Sequence, residues 1–158
     1  MTTCQQLAKH LREVHFGKNW TWVNMKDSLA GLFWKQATQK VGDFNTIAVL
    51  VNHCTYYVRI QHKVLSGLPL EGNDQLSFEV PAIQSQKDWD AFLEKTWEEV
   101  EALAQLIEQM PESQLNEIFR EKKYGTYHRN LMGMIEHTHY HLGQMVLLRK
   151  WIESNPEK

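Results

Sequence analysis

Cysteine is nearly missing from this chain, with Cys4 and Cys54 the only two in 158 residues. Two thiols cannot build the disulfide framework of a small secreted domain, and their scarcity suits a reducing compartment. Long apolar runs are missing as well. The longest aliphatic run, IAVLV at 47–51, is far too short to span a bilayer, and the first twenty residues, MTTCQQLAKHLREVHFGKNW, hold no apolar core of the kind a secretory signal needs. The expected setting is cytoplasmic, with no membrane partner. No charge of one sign dominates either. Lys and Arg number 17 against 19 Asp and Glu, a formal net charge of -2, so nothing draws the whole molecule to nucleic acid and no such partner is expected. Alternating β-branched stretches, internal repeats and low-complexity segments are also wanting, which argues against a sheet, a solenoid or a disordered tail.

What is present reads as one globular domain over 1–158, with 42% hydrophobic and 23% charged residues. Its apolar residues recur at helical spacing, and the fold class is all-α. A first amphipathic helix runs from about Cys4 to Phe16 and stops at Gly17. In the aromatic segment that follows, Trp20, Trp22, Leu29, Leu32, Phe33 and Trp34 are expected to plug one end of the core. A second long helix spans Thr46 to Ser66 behind Asn45 as a cap, with a broad stripe that includes Leu50, Tyr57, Val58 and Val64. The turn-rich stretch LPLEGNDQLSFEVPAIQ forms the longest loop, with a short extended piece near Leu76 to Val80. A third helix opens at Ser85, pairs it with Asp88 in a box-like cap and runs to Met110 before Pro111. Its glutamates Glu94, Glu98, Glu99, Glu101 and Glu108 read as a solvated outer face. A short helix from Glu112 to Phe119 and a loop with Tyr124, Gly125 and Tyr127 lead to the last helix.

That last helix contains GMIEHTHYHLGQM, with three histidines at alternate positions. Leu131, Met134, Ile135, Thr138, His141, Leu142, Met145, Leu148 and Ile152 follow three- and four-residue steps over a length no strand would have. His137 and His141 therefore stand one turn apart, with Cβ atoms roughly 6 Å apart, a spacing at which two imidazoles can bind one ion. His139 faces away and should be exposed. The other long apolar helix offers a third ligand, because His53 lies on the side of Leu50, Tyr57, Ile60 and Val64, whereas His62 falls outside. Side by side, the two helices could gather His53, His137 and His141 as three neutral imidazoles that leave open positions for water or substrate. The competing reading is of hydrogen-bonded core histidines. A di-iron carboxylate site needs two Glu-x-x-His motifs and only Glu136 to His139 fits; HExxH and CxxC are missing.

A histidine in the second long helix followed far downstream by H-x-x-x-H-x-G-Q in the last is the pattern formed here by His53 and by His137-Thr-His-Tyr-His141-Leu-Gly143-Gln144. With NTIAVLVNHCTYYVRIQHKVLSG and the tryptophan-rich WTWVNMKDSLAGLFWKQATQKV before it, the chain resembles the DinB-like superfamily over essentially its whole length. These proteins are also called YfiT-like metal-dependent hydrolases, and the name does not refer to the DNA polymerase that shares it. The resemblance implies a four-helix bundle with short accessory helices, often a homodimer. It also implies a divalent ion such as zinc or nickel held by His53, His137 and His141. Activities in such proteins include transfer of low-molecular-weight thiols, such as bacillithiol or mycothiol, to electrophiles and thiol-dependent isomerisation. His139 is an addition to the core motif.

An open position on a divalent ion can bind a thiol as its thiolate, or bind water and lower its pKa. Gln144, beside His141, could orient a ligand, and Tyr57, one turn beyond His53, could line the pocket or simply pack. An anionic thiol could be met by Lys122, Lys123, Arg129 or Arg59, which otherwise read as ordinary surface. Cys54 is turned by about 100° from His53 and reads as a small buried hydrophobe. Gly133 and Gly143 read as places where another helix comes close. Three functions stay open: a metal-dependent thiol transferase, a metal-dependent hydrolase, and a dimeric binding module that uses metal for stability alone.

Overall fold

In the computed structural model, which describes residues 1–155, seven α-helices follow one another and no strand forms among the described residues. They are α1 (Thr3–Phe16), α2 (Met25–Leu29), α3 (Trp34–Thr38), α4 (Ile47–Leu65), α5 (Asp74–Ser77), α6 (Gln86–Gln109) and α7 (Tyr127–Ser154). Short 3-10 turns at Glu112–Asn116 and Lys122–Tyr124 carry the chain from α6 to α7. Among the described residues, no helix is long and apolar enough to cross a membrane.

Each long helix starts where a side chain can satisfy a backbone N–H that has no partner in its own first turn. Thr2 accepts from Gln5 N at 3.2 Å while the Gln5 side chain accepts from Thr2 N at 2.9 Å. Thr126 caps α7 through Arg129 N, and Ser85 caps α6 through Asp88 N while Asp88 Oδ2 accepts from Gln84 N. Helix α4 is capped by Thr46, whose hydroxyl accepts from Val49 N, and not by Asn45 as the sequence suggested. Glycine ends α1: Gly17 adopts φ +112, open to glycine at little steric cost.

The four long helices close a ring in which α1 packs on α6 and α7, and α4 packs on the same two. Leu11, Val51, Leu103, Leu131 and Ile135 are fully buried at the centre, each worth about 1.5–3 kcal/mol of transfer from water. Arg12 fastens α1 to α6 through both Glu101, at 2.8 and 2.9 Å, and Glu108, at 2.8 Å. Arg59 of α4 reaches Glu99 at 3.0 Å. Three of the five outer glutamates of α6 thus pair across helices while keeping part of their surface in solvent.

Two loop expectations also change. Leu29 and Leu32 enter the core, but Trp20 and Trp22 are 96% and 87% exposed and Phe33 is exposed too. The core-facing place in that turn is taken by buried Asn19, whose amide donates to Glu13 O and Val23 O, while Lys18 and Trp22 adopt positive φ and turn the tryptophans outward. The piece around Leu76 to Val80 is no extended segment. Asn73 caps the one-turn helix α5 there, and Asn52 of α4 pins it by donating to Ser77 O and Glu79 O. The short helix after Pro111 stops at Asn116 because Ile118 turns to bridge with Thr126.

Candidate metal centre

Helices α4 and α7 lie antiparallel: His53 meets His137 near the middle of each, and Gln61, two turns on, meets Asn130. The helical repeat does the rest. His137 and His141 share a face of α7, and that face looks onto the side of α4 bearing His53 and Tyr57. His137 Nε2 lies 3.0 Å from His53 Nε2 and 3.0 Å from His141 Nε2, and one ligand nitrogen from each of the three lies within 4.8 Å of the others. His53 and His141 are 5% and 9% exposed.

The outer partners decide which nitrogen carries the proton. Gln144 Oε1 lies 2.6 Å from His141 Nδ1 and can only accept, so that nitrogen is the donor and a single ring proton placed there leaves Nε2 a bare lone pair. Around His53 the relay is longer. The Ser77 hydroxyl donates to Asp74 O, so its oxygen accepts from His53 Nδ1 at 2.6 Å and again leaves Nε2 unprotonated. Two lone pairs therefore point at His137 Nε2. Burial first, and the His141 and His53 rings after it, push the pKa of His137 down to about 4. Burial, aided by His141, also lowers that of His53, so both rings are neutral at pH 7. A neutral His137 with its proton on Nε2 can donate to one neighbour and not the other; with its proton on Nδ1 it leaves three lone pairs face to face. Its Nδ1 is buried and has no partner among the described residues.

A cation resolves this conflict. Nitrogens about 2.0–2.1 Å from one ion stand about 2.8–3.4 Å apart for angles between 90° and tetrahedral, and the two 3.0 Å spacings from His137 to its neighbours fall within that range. The three-histidine group can hold a metal ion. Aromatic rings wall it in: Phe78 stacks on His53 at 4.2 Å, Tyr57 stands edge-on to His53 and His137, and Tyr140 stands edge-on to His141. A cleft of about 530 Å³, bounded by Tyr57, Gln61, Lys123, Arg129 and Glu136, opens on His137. A second one of about 450 Å³, largely apolar, lies beyond Gln144 against Phe44, Leu147 and Trp151.

Compared with known protein families, curated proteins and solved structures, the chain matches none of them. Its own geometry carries the functional argument.

The structure brings together His53, His137, His141, Gln144 and Tyr57. Tyr57 does more than pack, because its phenol donates to Asp74 Oδ1 and forms part of the cleft wall. Of the four cations that could meet an anion, Lys123 and Arg129 border the cleft; Arg59 is spent on Glu99 and Asn52, and Lys122 is not among the cleft residues. His139 is half-buried instead of exposed, its ring 5.8 Å from that of His10 on α1. No other helix comes close at Gly133 or Gly143, since a Cβ at either would meet nothing from the rest of the described residues within 4 Å. Gly133 borders the cleft, where the missing side chain leaves room. Cys54 is fully buried and its thiol is pushed up to about 12 by burial, too high for a thiolate ligand or nucleophile at neutral pH without a metal.

Sequence reasoning missed Ser77, Asp74 and Phe78. Their signal was local: Asn73 before Asp74-Gln75-Leu76-Ser77 is a cap followed by one helical turn, which brings Ser77 back toward the neighbouring helix.

Proposed function

We propose that the chain is a divalent-metal enzyme of DinB-like type that activates a thiol, or failing that a water, at His53, His137 and His141. The ring of four long helices is read as a DinB-like four-helix bundle with short accessory helices, working as a homodimer on a small molecule. One observation carries the reading: two histidines with outer partners on Nδ1 aim bare Nε2 atoms at a third whose proton cannot satisfy both. Zinc or nickel suits three neutral imidazoles. Such an ion, once bound, supplies a Lewis acid that acidifies a thiol or water at its open positions.

The chain's own residues prepare that place. Ser77 and Gln144 fix ring orientation and tautomer, as outer hydrogen bonds do for histidine ligands generally. Phe78, Tyr57 and Tyr140 narrow the access of water to the nitrogens. Tyr57 is no base, because burial and its bond to Asp74 raise its pKa, and its O–H is already engaged in donating to Asp74. The ion's open side then falls to the substrate, with the cleft at His137 as its approach.

Cobalt(II) loading tests the reading. Visible d–d bands should appear on titration, be lost in His141→Ala, and be joined by a sulfur-to-cobalt charge-transfer band when 2-mercaptoethanol is added. Cobalt uptake without that band, together with turnover of activated esters in the absence of any thiol, would favour the hydrolase. Failure to take up cobalt would remove both.

A further inference from the structure

Apolar side chains left outside the core are not scattered evenly. After the terminal Met1, the most exposed large ones among the described residues are Trp20, Trp22, Leu147, Phe44 and Tyr140, at 96%, 87%, 69%, 66% and 66%. They form two features of opposite shape. Trp20 and Trp22 project from the turn between α1 and α2, and that turn is braced from within. Asn19 donates to Glu13 O and Val23 O, Thr21 Oγ1 donates to Asn19 Oδ1 at 3.0 Å, and Trp22 N donates to Asn19 O at 3.2 Å. Trp22 holds φ +57, a left-handed conformation that strains a bulky residue. The indoles are thus held outward and already ordered for contact. Leu147, Phe44 and Trp151 instead line a recess, the apolar cleft of about 450 Å³ whose wall includes Gln144. Tyr140 falls on the same face of α7, one turn before Gln144.

Both features sit at the end of the bundle where α7 finishes. Arg149 donates to Ser28 O at 2.8 Å and Ala30 O at 2.9 Å, which fastens the segment just after the tryptophan turn to the same turns of α7 that line the recess. Opposite charges accompany the two shapes. Lys18 adjoins the indoles and Asp43 lies on the recess wall, and neither side chain makes an ion pair or hydrogen bond among the described residues. Two indoles so exposed offer about 400 Å², and the apolar rim of the recess about as much again. Their sum is the roughly 800 Å² that each partner gives to a stable interface. We propose that a second copy of this chain fills the recess, in a two-fold pair. Trp20 and Trp22 of each chain pack against Phe44, Leu147 and Trp151 of the other, and each Lys18 meets the other's Asp43. A contact between unlike patches either closes in this reciprocal way or runs on as an open chain, and two patches at one end of the bundle favour closure. Gln144 then lies beneath the indoles of the other copy, which shields its bond to His141 from water. This interface gives the homodimer of the reading above its surface and depends on that part of the reading, not on the metal.

Sedimentation equilibrium of the full chain at micromolar concentration, metal-free and zinc-loaded, reads the outcome. Wild type should sediment as two chains. Trp20→Ala with Trp22→Ala, and separately Leu147→Glu, should weaken pairing about 100-fold or more. All three positions are exposed, so helical content should hold. Asp43→Lys sets like charges face to face and should weaken pairing about tenfold, and Lys18→Asp added to the same chain should restore it. Four results would overturn the proposal: a wild type that stays single and leaves the recess to another occupant, a pair untouched by the tryptophan and leucine variants and so built on another face, a mass that grows past two chains, or a charge swap that restores nothing. Pairing in a protein that refuses zinc would leave the interface standing and sink the metal reading; zinc uptake by a chain that stays single would do the reverse.

Discussion

Helix α7 carries histidine on two sides, and the two sides behave differently. Toward α4, His137 and His141 meet His53 with Nε2 atoms 3.0 Å apart along the chain of three, and Ser77 and Gln144 hold the far nitrogens of two of them. Toward α1, His139 lies near His10 with ring centroids 5.8 Å apart, while His15 spends Nδ1 on Leu11 O, 2.8 Å away in its own helix, and buries Nε2 without a partner among the described residues. Both sides are rich in imidazole. Only the first has partners that fix the proton on the outer nitrogen and turn the inner ones to a common point. Ligand character comes from this outer shell more than from the number of histidines.

The comparison breaks most sharply by removing one ring from each side. His141→Ala should lower zinc affinity by more than the roughly 100-fold that loss of an outer partner costs, whereas His139→Ala should leave it within about twofold, both read by chelator competition. The next largest effect belongs to the other side. Burial holds His15 down near 4, against a normal value of 6.5, so the unfolded chain binds a proton that the folded chain refuses. Stability from this source is complete above about pH 6.5 and falls as pH drops toward 4, by on the order of 3 kcal/mol. His53 and His137 slope the same way in metal-free protein. The His15 share is the difference between wild type and His15→Leu in urea melts at pH 7 and pH 4.5, where the variant should lose less.

Ser77→Ala and Gln144→Leu come third. Each should cost zinc affinity about 10- to 100-fold with little change in the urea midpoint of the metal-free protein. Equal affinity in all three proteins would mean that the outer bonds are incidental. The smallest effect is expected at the surface. Arg12→Leu unties α1 from Glu101 and Glu108 and should cost under about 1 kcal/mol, less at high salt, without touching zinc affinity.

Much of this was legible in the sequence because helices repeat. The step of four between His137 and His141, and the place of His53 beside Tyr57, follow from 3.6 residues per turn and hold without knowledge of the partner helix. The stripe of α6 and the stop at Gly17 are legible for the same local reasons. His139 was misread because facing away from one helix was equated with facing solvent, and α7 packs against α1 as well as α4. Trp20 and Trp22 were misread as core because size and apolarity suggest burial, but a turn at positive φ anchored by Asn19 sets their direction. Ser77 depends on a contact 24 residues from His53, and such tertiary pairings leave no periodic trace.

Elemental analysis of protein purified without an affinity tag, beside a His137→Ala, His141→Ala double variant of matching helical content, tests the central claim most directly. Close to one zinc or nickel per chain is expected in the parent and none in the variant. A parent that stays metal-free after reconstitution with divalent ions, or a variant that keeps its full complement, would contradict it.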